Sequence, residues 1–144
     1  MVLFPLENKN ILLNFALELK IDFMKRNKII FYGATGLLSL MMLASAGMYM
    51  FNHEEMSKLF TSLGYPVYII YPLAVVKILG VIAFWVPNYP TIREWAYAGF
   101  FFEFILAFFA HFMISDGEQM GAIMALVLLG LSYFFGKLYK KELG

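Results

Sequence analysis

Residues 66–87 read PVYIIYPLAVVKILGVIAFWVP, an apolar run whose only charge is Lys77. The next run, residues 93–115, reads REWAYAGFFFEFILAFFAHFMIS and carries Glu103 near its middle. A spanning helix needs about 20 apolar residues, and both runs meet that length. A lone ammonium or carboxylate at the bilayer centre costs ~2.5–3.5 kcal/mol on insertion scales. Depth counting brings the two charges to one level. Lys77 is eleven residues past Pro66, about 16 Å along a helix, and Glu103 is twelve before Ser115, about 18 Å. The economical arrangement is a helix bundle with both side chains inside it, and intramembrane ionisable groups are functional-site candidates by default.

The rest of the chain agrees with this reading. Of its 144 residues, 62% are hydrophobic and 15% charged, against about 45–50% and about 25% in soluble domains. Two further runs, 29–51 and 119–138, are long enough to span. The connections at 88–91 and 115–118 are short, which makes the helices they join antiparallel neighbours. The expected fold is an all-α membrane protein, an antiparallel four-transmembrane-helix bundle spanning residues 29–138. Residues 1–28 form a cytoplasmic N-terminal segment, and 139–144 a basic cytoplasmic tail. Nine of the eleven Lys and Arg residues fall at one side of the spans and only Lys58 on the other, with Lys77 in the membrane. The positive side is cytoplasmic. This predicts a multi-pass protein of the cell (inner) membrane with both termini in the cytoplasm.

Two segments outside the spans have helical spacing. Met56, Leu59, Phe60 and Leu63 form an apolar stripe, Asn52 with Glu55 fits a capping box, and Gly64 and Pro66 supply a stop. The expectation is a short interfacial helix on the outer side; a helical extension of the first span is the alternative. Ile11, Leu12, Phe15, Leu19 and Phe23 also share a face, consistent with a cytoplasmic interfacial helix. Met24-Lys25-Arg26-Asn27-Lys28 reads equally as a start, which would make the upstream residues a non-native extension. Lys25–Lys28 followed by an apolar stretch and Ala44-Ser45-Ala46 imitates a cleavable leader, but the run continues to Phe51.

Helices in lipid associate through small residues. The candidate inward stripes are Gly33, Gly36, Leu40, Ala44 and Gly47 in the first span, and Ala74, Lys77, Gly80 and Ala83 in the second. The third offers Ala96, Gly99, Glu103, Ala107 and Ala110; the fourth offers Gly121, Ala125, Ser132 and Gly136. Pro72 removes a backbone donor and is expected to kink the second span or free a carbonyl. The candidate site is an outer-half polar cleft floored by Lys77 and Glu103, with His111 at its mouth and Tyr68, Tyr71 and Asp116 near it.

Several chemistries are excluded or weakly served. With no cysteine, disulfide exchange, thiolate metal sites and iron–sulfur ligation are absent. His111 as a haem ligand lacks an axial partner, since His53 lies outside the span. The ten Met residues are scattered through apolar helices, as gap-fillers are. No phosphate loop, nucleophile elbow or HExxH is present. No metal site and no nucleic-acid partner are expected, and the polar inventory is thin for a self-sufficient enzyme.

Lys77-Ile78-Leu79-Gly80 resembles the K-x-L-G segment of DoxX-like proteins, and Glu94-Trp95-Ala96-Tyr97-Ala98-Gly99-Phe100 resembles their E-W-A-Y-A-G-F string. Glu103, Ala110-His111 and Asp116 are similar to that family's acidic residue, small-x-His end and G-D turn, although Asp116-Gly117 inverts the last pair. The likeness covers roughly residues 28–138 and implies a small four-span membrane protein. Some relatives are subunits of quinone-linked or other membrane oxidoreductases, and a distant one resembles an assembly chaperone for receptor subunits. The leading functional expectation is therefore an integral membrane subunit or assembly partner for another membrane or redox protein. A binder of a quinone- or isoprenoid-like small molecule is second, and a proton-coupled transporter third. A homo-oligomer is a further option. Lys77–Glu103 reads either as a ligand or proton site or as a register-fixing ion pair.

Overall fold

A computed structural model describes residues 6–143 of the chain. The described residues are helical with no strand. The elements are α1 (Leu6–Phe51), α2 (His53–Ser62), a 3-10 turn (Val67–Ile69), α3 (Ile70–Trp85), α4 (Pro90–Ile114) and α5 (Gln119–Leu143). α1, α4, α5 and the Val67–Trp85 unit are each long and apolar enough to cross a membrane. A helix suits that setting because every backbone group is satisfied within its own segment.

α1 packs on α3 and α5, and α4 packs on the same two helices, so the four close a ring. Leu38 and Met42 of α1, Val81 and Phe84 of α3, Tyr97, Phe100 and Phe104 of α4, and Ala125 and Leu129 of α5 fill its interior. Unlike a soluble protein, the bundle is apolar outside as well as inside. Val76 is 60% exposed while its neighbour Lys77 is 4% exposed. Leu40, Phe102, Met124 and Phe134 likewise point outward. An apolar exterior with the charged Lys77 turned toward the bundle interior is what a hydrocarbon solvent selects.

Glycine sets two close approaches. A Cβ on Gly80 would meet the Phe100 ring at 2.6 Å, and one on Gly136 would meet the Phe31 ring at 2.8 Å. At these points the inward small-residue stripes of α3 and α5 do their packing. The stripe expected in the first span does not. Leu40 and Ala44 are exposed, and a Cβ at Gly33, Gly36 or Gly47 would touch nothing. The buried face of α1 is instead Phe31, Ala34, Thr35, Leu38, Ser39, Met42 and Ala46, where hydroxyls and large side chains meet the neighbouring helices. In α4 the buried face is Arg93, Tyr97, Phe100 and Phe104. The small stripe lies to one side of it, and Gly99 is exposed.

Residues 6–51 form one unbroken helix, so the segment expected before residue 29 continues into the first span without a break. Ile11, Leu12, Phe15, Leu19 and Phe23 stand exposed on it. The expectations for the first five residues and Gly144 lie outside the described residues. Pro72 falls in the first turn of α3, after the 3-10 turn, where its missing N–H has no partner to lose. α5 continues to Leu143, so the basic tail is largely its last turns.

The 52–66 segment does hold a helix. Asn52, at φ −111° and ψ 45°, breaks it from α1, and no side-chain bond caps it, so the capping box does not form. Its end is a Schellman closure. Gly64 takes φ 79°, its N–H donates to Thr61 O, and Tyr65 N–H donates to Phe60 O. Met56 and Phe60 bury against Ile70, which fixes α2 across one end of α1 and α3.

Candidate functional site

Lys77, on α3, is held from two neighbouring helices. Its Nζ lies 2.6 Å from Glu103 Oε1 on α4 and donates to Ser45 Oγ on α1 at 2.9 Å. The same ammonium sits 4.7 Å from the centroid of the Tyr49 ring, in cation–π range. A charge partner, a hydroxyl and a π face replace the water that a buried ammonium gives up. Ser45 and Tyr49 are one helical turn apart on α1, so they present together to α3. The sequence singled out neither. Ser45 enters the sequence reading only as part of a leader-like tripeptide and Tyr49 not at all; the available signal is their four-residue spacing on one helix face.

Glu103 is less enclosed than its partner, with 23% of its side chain exposed against 5% for Lys77. It opens into an apolar cavity of about 360 Å³ beneath α2. One wall carries Tyr49, Phe60, Tyr65 and Leu73; the other carries Gly99, Phe102, Glu103, Leu106, Ala107, Ala110 and His111. The small residues of α4 that the ring interior leaves out are thus the ones that make room for this groove. Pockets of this size, apolar with a few converging polar groups, are the usual form of small-molecule sites.

His111 closes the far end. Its Nδ1 lies 2.7 Å from Asp116 Oδ2, while Asp116 Oδ1 accepts the backbone N–H of Glu118 at 3.0 Å. Both bonds favour the carboxylate. The hydrogen bond from His111, first, and the Glu118 N–H hold the Asp116 carboxyl below its ordinary range. The tight turn that places Asp116 uses a left-handed Ser115 at φ 54° and Gly117 at φ 85°. The Nδ1–Asp116 contact leaves Nε2 as the ring nitrogen free to meet a ligand, as acceptor in the neutral ring and donor in the charged one.

Tyr68 and Tyr71 are not part of this arrangement. Tyr68 is 78% exposed, and the Tyr71 ring stacks on His53 at 4.6 Å between centroids, outside the groove. They belong to the entrance to α3, which begins as a 3-10 turn and so rotates them away. Among the described residues no cluster of three or more His, Asp or Glu is placed to hold a metal ion.

A second polar network centres on Ser132, which the sequence places on the inward stripe of the fourth span, but its partners Thr35, Ser39 and Trp85 are not foreseen. Ser132 Oγ lies 2.6 Å from both Thr35 Oγ1 and Tyr97 Oη, and all three residues are buried. Ser39 Oγ donates to Thr35 O at 2.7 Å and receives Trp85 Nε1–H at 3.0 Å. Thr35, Ser39 and Ser132 are the polar positions of otherwise apolar helices, which was the available signal. The network joins all four ring helices, since Trp85 is on α3 and Tyr97 on α4.

The family model described as the DoxX-like family matches residues 33–135. The chain belongs to the DoxX-like family. It is a multi-pass membrane protein, with four apolar helices of spanning length. No curated protein and no solved structure matches it. The DoxX-like region contains the Lys77 cluster, the groove with His111 and Asp116, and the Thr35–Ser132–Tyr97 network. It begins after the exposed N-terminal part of α1 and stops short of Lys137.

Proposed function

We propose that this DoxX-like protein is a membrane binding module. Its groove beneath α2 takes a hydrophobic small molecule with a polar head, of the quinone or isoprenoid class, as a ligand that is redox-linked where the head is a quinone. The observation that carries this reading is Glu103. It is paired with a fully enclosed lysine yet partly open to an apolar cavity of about 360 Å³ that also receives His111. The apolar walls would hold the hydrocarbon part. The Glu103 carboxyl and His111 supply polar partners for a hydroxyl, and the Lys77 ammonium sits beside Glu103 as its charge partner.

In this reading the four spans run alternately up and down as an antiparallel bundle. α2 lies at the outer interface of the inner membrane, and both termini are cytoplasmic. The Lys and Arg distribution supports that orientation. The groove then faces the outer leaflet, from which an amphiphile can enter sideways.

A second reading is a subunit or assembly partner for another membrane or redox protein. The exposed Gly99 and the half-exposed Ala107 and Ala110 support it, because they leave a shallow small-residue surface on α4 on which a partner helix could seat. Gentle extraction from native membrane, followed by mass spectrometry of everything retained, separates the two. A retained small amphiphile that is lost in Gly99→Leu supports the binder, because a Cβ at Gly99 meets nothing within 4 Å and the new side chain enters the groove. A retained protein without such an amphiphile supports the subunit.

A further inference from the structure

The other end of the ring, away from α2, has a built cationic pocket that the groove beneath α2 does not use. Arg93 is 8% exposed, its Nη2 donates to Val86 O at 2.7 Å, and its Nε is buried with no hydrogen-bond partner. Arg93, Lys137 and Lys140 line one small recess with Glu94, Tyr97 and Tyr133. Glu94 accepts from Tyr133 Oη at 2.9 Å and lies 3.7 Å from Lys137 Nζ, so one of the three cations is partly answered within the chain. Three cations and one carboxylate leave the recess cationic.

The recess borders a second apolar groove across three shared residues. Glu94, Tyr97 and Tyr133 also line a cavity of about 490 Å³ between α4 and α5, which continues past Phe101, Ile105 and Gly130. A cationic mouth over a hydrocarbon-facing groove matches one chemistry, a phosphate headgroup with acyl chains attached. Basic pockets between spans at the positive face of a membrane protein bind anionic headgroups in this way.

We propose that this mouth binds an anionic phospholipid from the leaflet that the Lys and Arg excess faces. Its phosphate lies among Arg93, Lys137 and Lys140, and an acyl chain lies in the α4–α5 groove. The cationic mouth shares no lining residue with the groove beneath α2, and the two apolar grooves meet only at Phe102. A free phosphate would satisfy the mouth but leave the groove unfilled, so the lipid is the occupant that uses both.

The test is phosphatidylglycerol titrated into the full-length protein in neutral detergent, with bound lipid counted by native mass spectrometry and phosphatidylethanolamine as the control. The expected result is one phosphatidylglycerol per chain, held about tenfold more tightly than phosphatidylethanolamine. Lys140→Gln should weaken it about fivefold and Lys58→Gln, at the other end, not at all. Arg93→Gln should weaken it further. If that variant fails to fold, Lys140→Gln decides. Gly130→Leu, whose Cβ has open space, should fill the groove and release the lipid while leaving the fold intact. Equal binding of the two lipids, or equal loss on Lys58→Gln and Lys140→Gln, would overturn the proposal. So would a Gly130→Leu protein that keeps full affinity, which would leave a phosphate site without a lipid groove.

Discussion

Lys77 and Glu103 divide their burial unequally, and the inequality has consequences. Glu103→Gln leaves an enclosed ammonium without a counter-charge, with only neutral acceptors and a ring face around it. Losses of ~3–5 kcal/mol are typical when one partner of a buried pair is removed. Lys77→Met leaves a carboxylate that the groove partly exposes, so it should destabilise less. The double variant should recover much of either loss, and a double-mutant cycle in thermal melts measures the coupling. Additive losses would contradict the direct contact. Ser45→Ala removes the hydroxyl that accepts from Lys77 Nζ and should cost less, ~1.5–3 kcal/mol as is typical for a hydrogen bond to a charged group. A second prediction at this scale concerns Asp116, whose carboxyl is held low by the His111 hydrogen bond. A depressed folded-state value contributes stability above the ordinary carboxylate range, about pH 3.9, and loses it as pH falls through the depressed value. Wild type should therefore lose melting temperature below about pH 4, and Asp116→Asn should lose less across that interval. Parallel acid profiles would mean that the His111–Asp116 bond does not form.

Helix packing separates the glycines into two classes. Gly80 and Gly136 face rings that cannot retreat, since Phe100 and Phe31 are themselves buried. Gly80→Ala and Gly136→Ala should each lower the melting temperature through overpacking, ~1–3 kcal/mol. Gly33→Ala and Gly36→Ala meet open space and should be neutral or mildly stabilising, by up to ~1 kcal/mol of helix propensity. The opposite pattern would put the buried face of α1 on its glycines. The four spans and the break before α2 were legible in the sequence, because run length and spacing act within one segment. The inward face of α1 was not. Small-residue stripes are a contact preference, and which stripe is used depends on what the neighbour offers. In α1 the neighbour offered Ser132, Lys77 and Trp85, so Thr35, Ser45 and Ser39 face inward instead. Lys77 and Glu103 could be paired by depth because the cost of an isolated charge in lipid exceeds most packing preferences. Tyr68 and Tyr71 could not be placed, because a 3-10 start changes the angular register that an α-helix would give.

At the scale of the molecule, two features are separable from the DoxX-like core. The exposed first part of α1 lies before the matched region and contributes no buried residue from Lys9 to Phe23. A chain beginning at Met24 should therefore insert and melt as the full chain does, and a clear loss of thermal stability would mean that this segment packs on something. Orientation is checked by reporter fusions, cytoplasmic after Lys141 and external at Gly117. The remaining feature is the groove beneath α2, on which the functional reading rests. The most direct measurement of it is photo-crosslinking in native membranes from a benzophenone amino acid at Leu106, which lines the groove, with Val127 on α5, outside it, as the control. The binding reading predicts an adduct of small-molecule mass at Leu106 that is absent at Val127 and lost in Gly99→Leu. Adducts of protein mass at Leu106, or identical lipid adducts at both positions, would contradict it.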